Sequence, residues 1–154
     1  MTNNDVLRHI RYAFDFKDPK MVKIFGLADY AVNREQVGAW LKKDDDPEFK
    51  ACDDAALAAF LDGLISDRRG KRVEEQPQAP SDEALTNNVI LRKLRIALEL
   101  KSEDMLAVMA LGGRPISDYE LKALFRKPGH KQHRDCHDQV LRIFINGMRL
   151  RLRS

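Results

Sequence analysis

Apolar residues recur along this chain at intervals of three and four, and they do so in four successive blocks. Val6, Leu7, Ile10, Ala13 and Phe14 form the first stripe. Met21, Val22, Ile24, Phe25 and Leu27 form the second, Val37, Trp40 and Leu41 the third, and Leu57, Phe60, Leu61 and Leu64 the fourth. A period near 3.6 places each set on one face of an α-helix. No run alternates apolar and polar residues, and no Asn-Gly turn joins β-branched stretches, so no strand is predicted. The same four blocks then return. Ile90, Leu91, Leu94, Ala97 and Leu98 repeat the first, and Met105, Leu106, Val108, Met109 and Leu111 the second. Leu121, Leu124 and Phe125 repeat the third, and Leu141, Phe144, Ile145 and Met148 the fourth.

Start signals stand in front of each block. Thr2 and Thr86 can accept from an orphan backbone N–H at the start of the first helix of each copy. Asp18 and Ser102 are the expected caps of the second, with Pro19 at the first helical position, where no N–H is missed. Asn33-Arg34-Glu35-Gln36 and Ser117-Asp118-Tyr119-Glu120 are capping boxes for the third. The fourth helices are expected to begin near Asp53 and His137. Gly63 and Gly147 fall late in these last patterns, where a helical glycine costs about 1 kcal/mol relative to alanine. Either a close helix approach or a helix end accounts for them.

The two sets are related by a constant, ungapped offset of 84, which superposes Thr2-Asn3-Asn4 on Thr86-Asn87-Asn88. It also pairs Leu7/Leu91, Arg8/Arg92, Arg11/Arg95, Lys43/Lys127, Cys52/Cys136, Phe60/Phe144 and Gly63/Gly147. About a quarter of positions are identical and most others swap like for like, the mark of an internal repeat. The expected organisation is a helical repeat over 1–70, a polar linker over 71–84 containing Pro77 and Pro80, and a second repeat over 85–154. A unit of about 65 residues buries only a modest share of its surface, so the two copies are expected to pack on each other. The fold class is therefore all-α: two tandem four-helix repeats packed together.

This layout resembles the YehS-like family, a small bacterial domain of unknown function that occurs as a tandem repeat. The residues that carry the resemblance are Thr-Asn-Asn with Leu-Arg-x-x-Arg in each first helix, Asp104-Met105-Leu106, and the Lys42-Lys43 and Arg126-Lys127 pairs. Cys-x-Asp-x-x-Leu-x-x-Phe, from Cys52 and from Cys136, completes the set. The resemblance spans nearly the whole chain. It implies an all-helical tandem domain and assigns no activity, cofactor or catalytic residue. Repeat one departs locally, with Ala28-Asp29-Tyr30 where repeat two has Gly112-Gly113-Arg114.

Composition narrows the class further. An apolar share of 44% and a charged share of 33% describe a soluble helical protein rather than a disordered one. No stretch approaches the ~20 apolar residues of a membrane span, and Met-Thr-Asn-Asn-Asp has no signal-peptide character. Two cysteines at equivalent positions do not make a disulfide framework, so a cytoplasmic location is expected. The net charge of +3 is unevenly spread. Residues 1–70 hold 11 Lys/Arg against 13 Asp/Glu, whereas residues 85–154 hold 14 against 7. That surplus favours an acidic partner for the second repeat, nucleic acid or acidic protein, and opposite signs favour docking of the lobes. Tuning of solubility is the plainer explanation.

Three constellations carry candidate chemistry. Arg8/Arg11 and Arg92/Arg95 lie at i, i+3 and project from one helix face, one turn after Thr-Asn-Asn and beside a positive helix start. They read as an anion contact present twice, or as capping asparagines with arginines paired to nearby acids. The second and third helices of repeat two resemble a helix-turn-helix, with Lys122, Arg126 and Lys127 on the second member. Its connection, residues 112–117, is longer than the usual turn. His130, His133, Cys136 and His137 are the densest metal-ligand types in the chain. Repeat one has Asp46, Phe49, Cys52 and Asp53 there, so the cysteines read better as small buried residues and no metal is expected. Asp44-Asp45-Asp46 lacks the EF-hand spacing and reads as a solvated loop. No catalytic constellation or phosphate loop stands out. The sequence points to a non-enzymatic binding module without cofactor, with nucleic acid held by the basic second repeat. Protein interaction or self-association into a homo-oligomer is the alternative. Arg92, Arg95, Lys122, Arg126 and Lys127 are expected on one exposed side.

Overall fold

The computed structural model describes residues 1–70 and 84–153. Among them it holds eight α-helices and no strand. Repeat one contains α1 (Asn3–Phe14), α2 (Asp18–Leu27), α3 (Arg34–Leu41) and α4 (Asp54–Arg69). Repeat two contains α5 (Asn87–Leu98), α6 (Ser102–Leu111), α7 (Asp118–Phe125) and α8 (Asp138–Leu152). All but one residue of the expected linker lies outside the described residues. No described helix is long and apolar enough to cross a membrane.

The caps behave as their chemistry requires. Thr2 accepts from the Asp5 N–H and Thr86 from the Val89 N–H, and both capping boxes of α3 and α7 close. Asp53 caps α4 through the Ala56 N–H. The second helices begin one residue earlier than expected: Lys17 and Lys101 are the caps, and Asp18 and Ser102 are the first helical residues. Pro19 is therefore the second helical residue, where its missing N–H is equally harmless because every N–H of the first turn is an orphan.

The Thr-Asn-Asn segments are spent on structure. Asn4 is 3% exposed; its Nδ2 donates to the carbonyls of Trp40 (2.9 Å) and Lys50 (2.8 Å), and its Oδ1 accepts from the Cys52 N–H. Asn88 makes the same three bonds to Leu124, Arg134 and Cys136. Asn3 and Asn87 donate to the carbonyls of Cys52 and Cys136 and to the Asp54 and Asp138 carboxylates. One asparagine thus satisfies three backbone groups, a carbonyl in the last turn of the third helix and two groups of the loop before the fourth. Leaving such groups unpaired costs about 1–3 kcal/mol each. The asparagine side chains are thereby committed to the fold.

The two repeats interlock. Each fourth helix lies between the second helix of its own repeat and the first helix of the other, α4 between α2 and α5, and α8 between α6 and α1. Within one repeat the first and fourth helices touch only marginally. Because the exchange is reciprocal, the copies are related by an approximate two-fold rather than a translation. The paired helices run in the same direction: the Met1 ammonium meets Asp138 at one end of α1, and Tyr12 meets Arg149 and Arg153 near the other. Lys93 with Asp62 (2.5 Å) and Arg69 with Glu99 (3.3 Å) bridge α4 and α5 in the same sense. Between these polar edges one apolar cluster runs through both repeats, with Phe25, Phe60 and Phe144 fully buried.

Gly63 and Gly147 mark the closest helix approaches. A Cβ on Gly63 would lie 1.9 Å from the Ile24 carbonyl oxygen, and one on Gly147 2.0 Å from that of Val108. Both lie inside their helices, so close approach, not a helix end, explains them. The backbone atoms in the way cannot step aside. Gly147→Ala is therefore expected to lower stability by about 1–3 kcal/mol, as overpacking does, although alanine is the better helix former. Urea denaturation checks this; an unchanged or raised midpoint would contradict it.

Candidate functional site

The corner where α5, α6 and α7 of repeat two meet is built around one arginine. Arg95, in the last turn of α5, donates from Nε to the Leu100 carbonyl (3.0 Å) and from Nη2 to Ser102 Oγ (3.3 Å). Its guanidinium lies over the Phe125 ring, 4.8 Å from the centroid. Arg95 therefore braces the turn into α6 and covers the aromatic face that α7 offers. α7 ends at Arg126, whose extended backbone (φ −72°, ψ 154°) turns the chain away and leaves Arg126 and Lys127 exposed. The Arg126 carbonyl accepts from His133 Nδ1 (2.9 Å), which fastens the following loop to the helix end.

These elements enclose an open cavity of about 590 Å³. Its apolar lining is Leu121 and Phe125; its polar lining is Arg95, Ser102, Lys122, Arg126, Lys127 and His130. Among the described residues no carboxylate lines it. Lys122 is exposed and pairs with Asp118 one turn back (3.1 Å), an interaction that solvent makes weak. His130 Nδ1 accepts from the Gln132 N–H (3.0 Å), so the neutral ring carries its proton on Nε2, as a donor. Every polar side chain around the cavity can offer a hydrogen-bond donor, and an anion is the complementary guest.

The cavity gathers four of the seven arginines and lysines singled out from the sequence: Arg95, Lys122, Arg126 and Lys127. Arg92 is exposed on α5 but does not line it. Arg8 serves α1 and α3, pairing with Asp5 and donating to the Lys42 carbonyl (3.3 Å). Burial disfavours the charge on Asp5, but hydrogen bonds from the Thr2 N–H and from Arg8 outweigh it and hold the carboxyl below its ordinary value. Arg11 is half-buried, with its Nε enclosed and without a partner among the described residues. Ser102 and Phe125 also line the cavity but read as a cap and as a core position in the sequence. The signal for Ser102 was present in the repeat offset. Ser102, Lys122 and His130 stand where repeat one has Asp18, Gly38 and Asp46. Two acids and a missing lysine would reverse the character of the corresponding corner.

The metal-ligand types are scattered to separate tasks. His133 Nε2 lies 3.1 Å from Asp135 Oδ1, His137 stands at the N-cap position of α8 without a side-chain capping bond, and His130 faces the cavity. Cys136 is 4% exposed and its Sγ points at the His137 carbonyl (3.7 Å), matching Cys52 and Asp53. No three histidine, cysteine or acidic side chains among the described residues converge as metal ligands would. α7 also differs from a recognition helix: Asp118 and Glu120 occupy its first turn, which a helix-turn-helix presents to the bases.

Fold and site together define an all-helical tandem-repeat protein with an acid-free, donor-lined cavity on its second repeat. The chain belongs to the family described as "Protein of unknown function (DUF1456)", whose model matches residues 3–70 and again residues 87–154. It is 39% identical over 151 residues to the uncharacterized protein YehS of Escherichia coli (strain K12), covering 98% of this chain and 96% of that protein. No solved structure matches.

The thiols give a direct check on the site's packing. Burial, reinforced by nearby aspartates, pushes both Cys52 and Cys136 up to about 12. Only the thiolate reacts. Native protein at pH 8 is expected to resist iodoacetamide, with rapid modification of both thiols in urea. Fast labelling of Cys136 in native protein would place it outside the core.

Proposed function

We propose that this chain is a non-enzymatic helical tandem-repeat module that binds nucleic acid through its phosphates, at the basic cavity of the second repeat. The observation that carries this reading is the cavity itself: Arg95, Lys122, Arg126, Lys127 and His130 surround one acid-free space. The mode it supports is recognition of the nucleic-acid backbone. The face of Phe125 that Arg95 covers is closed to a stacking base. The acids on the first turn of α7 oppose insertion into a groove, while the cations cluster at its other end. Bonds to phosphate position a protein on nucleic acid without reading sequence.

The alternative, an acidic protein or a second copy of this chain, draws support from Asp44 and Asp45, which are exposed in the loop after α3. Two adjacent exposed carboxylates can pair with exposed lysines of another copy.

The test is a titration of duplex DNA, single-stranded DNA and RNA at two salt concentrations. Wild-type binding should weaken steeply with salt through counterion release. Arg126→Glu combined with Lys127→Glu should weaken all three ligands alike and flatten the salt slope by about one for each phosphate no longer neutralised. Helicity should be unchanged, since exposed charges add little stability. Wild-type protein that shows no salt-sensitive binding would remove nucleic acid and leave the acidic-protein reading in front.

A further inference from the structure

A second cationic recess lies far from the first in sequence terms, along the seam where α1 meets α8. It encloses about 450 Å³, within the roughly 300–1,000 Å³ of small-molecule sites. His9 and Tyr12 line it from α1, and Arg142 and Arg149 from α8. The two arginines are seven residues apart on one helix face, about 10 Å along the axis. Each is oriented by a neutral amide: Arg142 Nη1 donates to Gln139 Oε1 (3.3 Å), and Arg149 Nη2 to Asn146 Oδ1 (2.7 Å). An amide oxygen positions a guanidinium without neutralising it, and among the described residues no carboxylate lines the recess. Tyr12, 60% exposed, stands at the rim with the Arg149 guanidinium 5.5 Å from its ring centre. Burial, then Arg142 and Arg8, push the His9 imidazole below its ordinary value against the opposing pull of Asp5.

The internal two-fold supplies a control within the same molecule. At the equivalent seam between α4 and α5, His9 corresponds to Lys93 and Asn146 to Asp62, and those two form an ion pair at 2.5 Å. Arg142 corresponds to Ala58, Arg149 to Ile65 and Tyr12 to Ile96. One seam is closed by two ion pairs, Lys93 with Asp62 and Arg69 with Glu99; the other, with the same helices in the same arrangement, carries two guanidiniums without a carboxylate at ion-pair distance among the described residues, although the charge of Arg142 also acts on Asp138 one turn back. The cationic recess is thus not a by-product of how the repeats meet.

We infer that the α1–α8 seam is a binding site for a phosphate group, carried by a small molecule or free. Guanidiniums offer paired N–H donors that match phosphate oxygens, and the imidazole and phenol add donors from the opposite wall. Ile143, half-buried in the same recess, offers an apolar surface to an organic body attached to the phosphate. The inference is independent of the reading of the α5–α7 cavity.

Isothermal titration of the full chain with inorganic phosphate and with phenyl phosphate tests it, with phenol as the uncharged control. Saturable binding is expected, with a component that Arg142→Gln weakens about ten-fold, equivalent to about 1.4 kcal/mol. Arg149→Gln should act in the same direction, and Arg34→Gln, which removes one exposed positive charge that lines neither cavity, should leave the affinity unchanged. Circular dichroism confirms the fold of each variant; Arg142 is exposed, so its replacement leaves the core intact. Tighter binding of phenyl phosphate than of phosphate identifies an organic phosphomonoester as the guest, and equal binding identifies the free ion. Absence of saturable binding by both, phenol binding as well as phenyl phosphate, or indifference to Arg142→Gln would each overturn the inference. Weakening by Arg34→Gln as large as that by Arg142→Gln would overturn it as well.

Discussion

Everything else in this molecule depends on the exchange of first helices between the repeats. α1 carries an apolar stripe of five residues, yet its own fourth helix barely covers it; α8 of the other repeat does. α5 is covered by α4 in the same way. Four helices from each copy would bury too little surface to be secure at about 65 residues, and the interlock merges two marginal cores into one. The glycines at 63 and 147 let each fourth helix press against its own second helix while its other side serves the neighbour. Asn4 and Asn88 then hold the loop that delivers each fourth helix to that position.

That constraint explains where the repeats were free to differ. Positions in the shared core swap like for like, and the ion pair between second and fourth helices survives with its signs exchanged: Lys20 with Asp67 in one repeat, Asp104 with Arg151 in the other. The surfaces answer to no such demand. Repeat two carries the lysine, serine and histidine that complete a donor-lined cavity, and one of two equivalent seams carries two arginines. Both changes collect positive charge in concave places without carboxylates. Charge that served solubility alone would be expected on convex, solvated faces and interspersed with acids.

Much of the fold was legible because helix periodicity and capping are local. The eight stripes, both capping boxes of the third helices and the two-copy offset are read within a few residues of chain, and the structure keeps them. The cap of the second helix shifted by one because Lys17 and Lys101 have no sequence mark of a cap. The dual reading of Gly63 and Gly147 could not be resolved from sequence, since only a neighbour's backbone says what a Cβ would meet. The site was partly legible. Arg95, Lys122, Arg126 and Lys127 follow from helix spacing, but whether Arg8 and Arg11 join them depends on Asp5 and on the Lys42 carbonyl, which the fold brings into reach. The α1–α8 seam was invisible as a site because its walls are more than a hundred residues apart. Its trace in the sequence is the contrast of Ala58 with Arg142 and of Ile65 with Arg149.

The claim that the repeats share one core is tested most directly by perturbing one and observing the other. Trp40, the single tryptophan, reports repeat one from its place against Phe25. Phe144 is fully buried in repeat two. Phe144→Leu removes core volume there at a cost of about 1–2 kcal/mol. In urea, followed by Trp40 fluorescence, the account predicts one transition whose midpoint falls in step with that measured by circular dichroism. A Trp40 midpoint that stays at the wild-type value while the helical signal melts in two stages would show that the repeats are independent, and would contradict it.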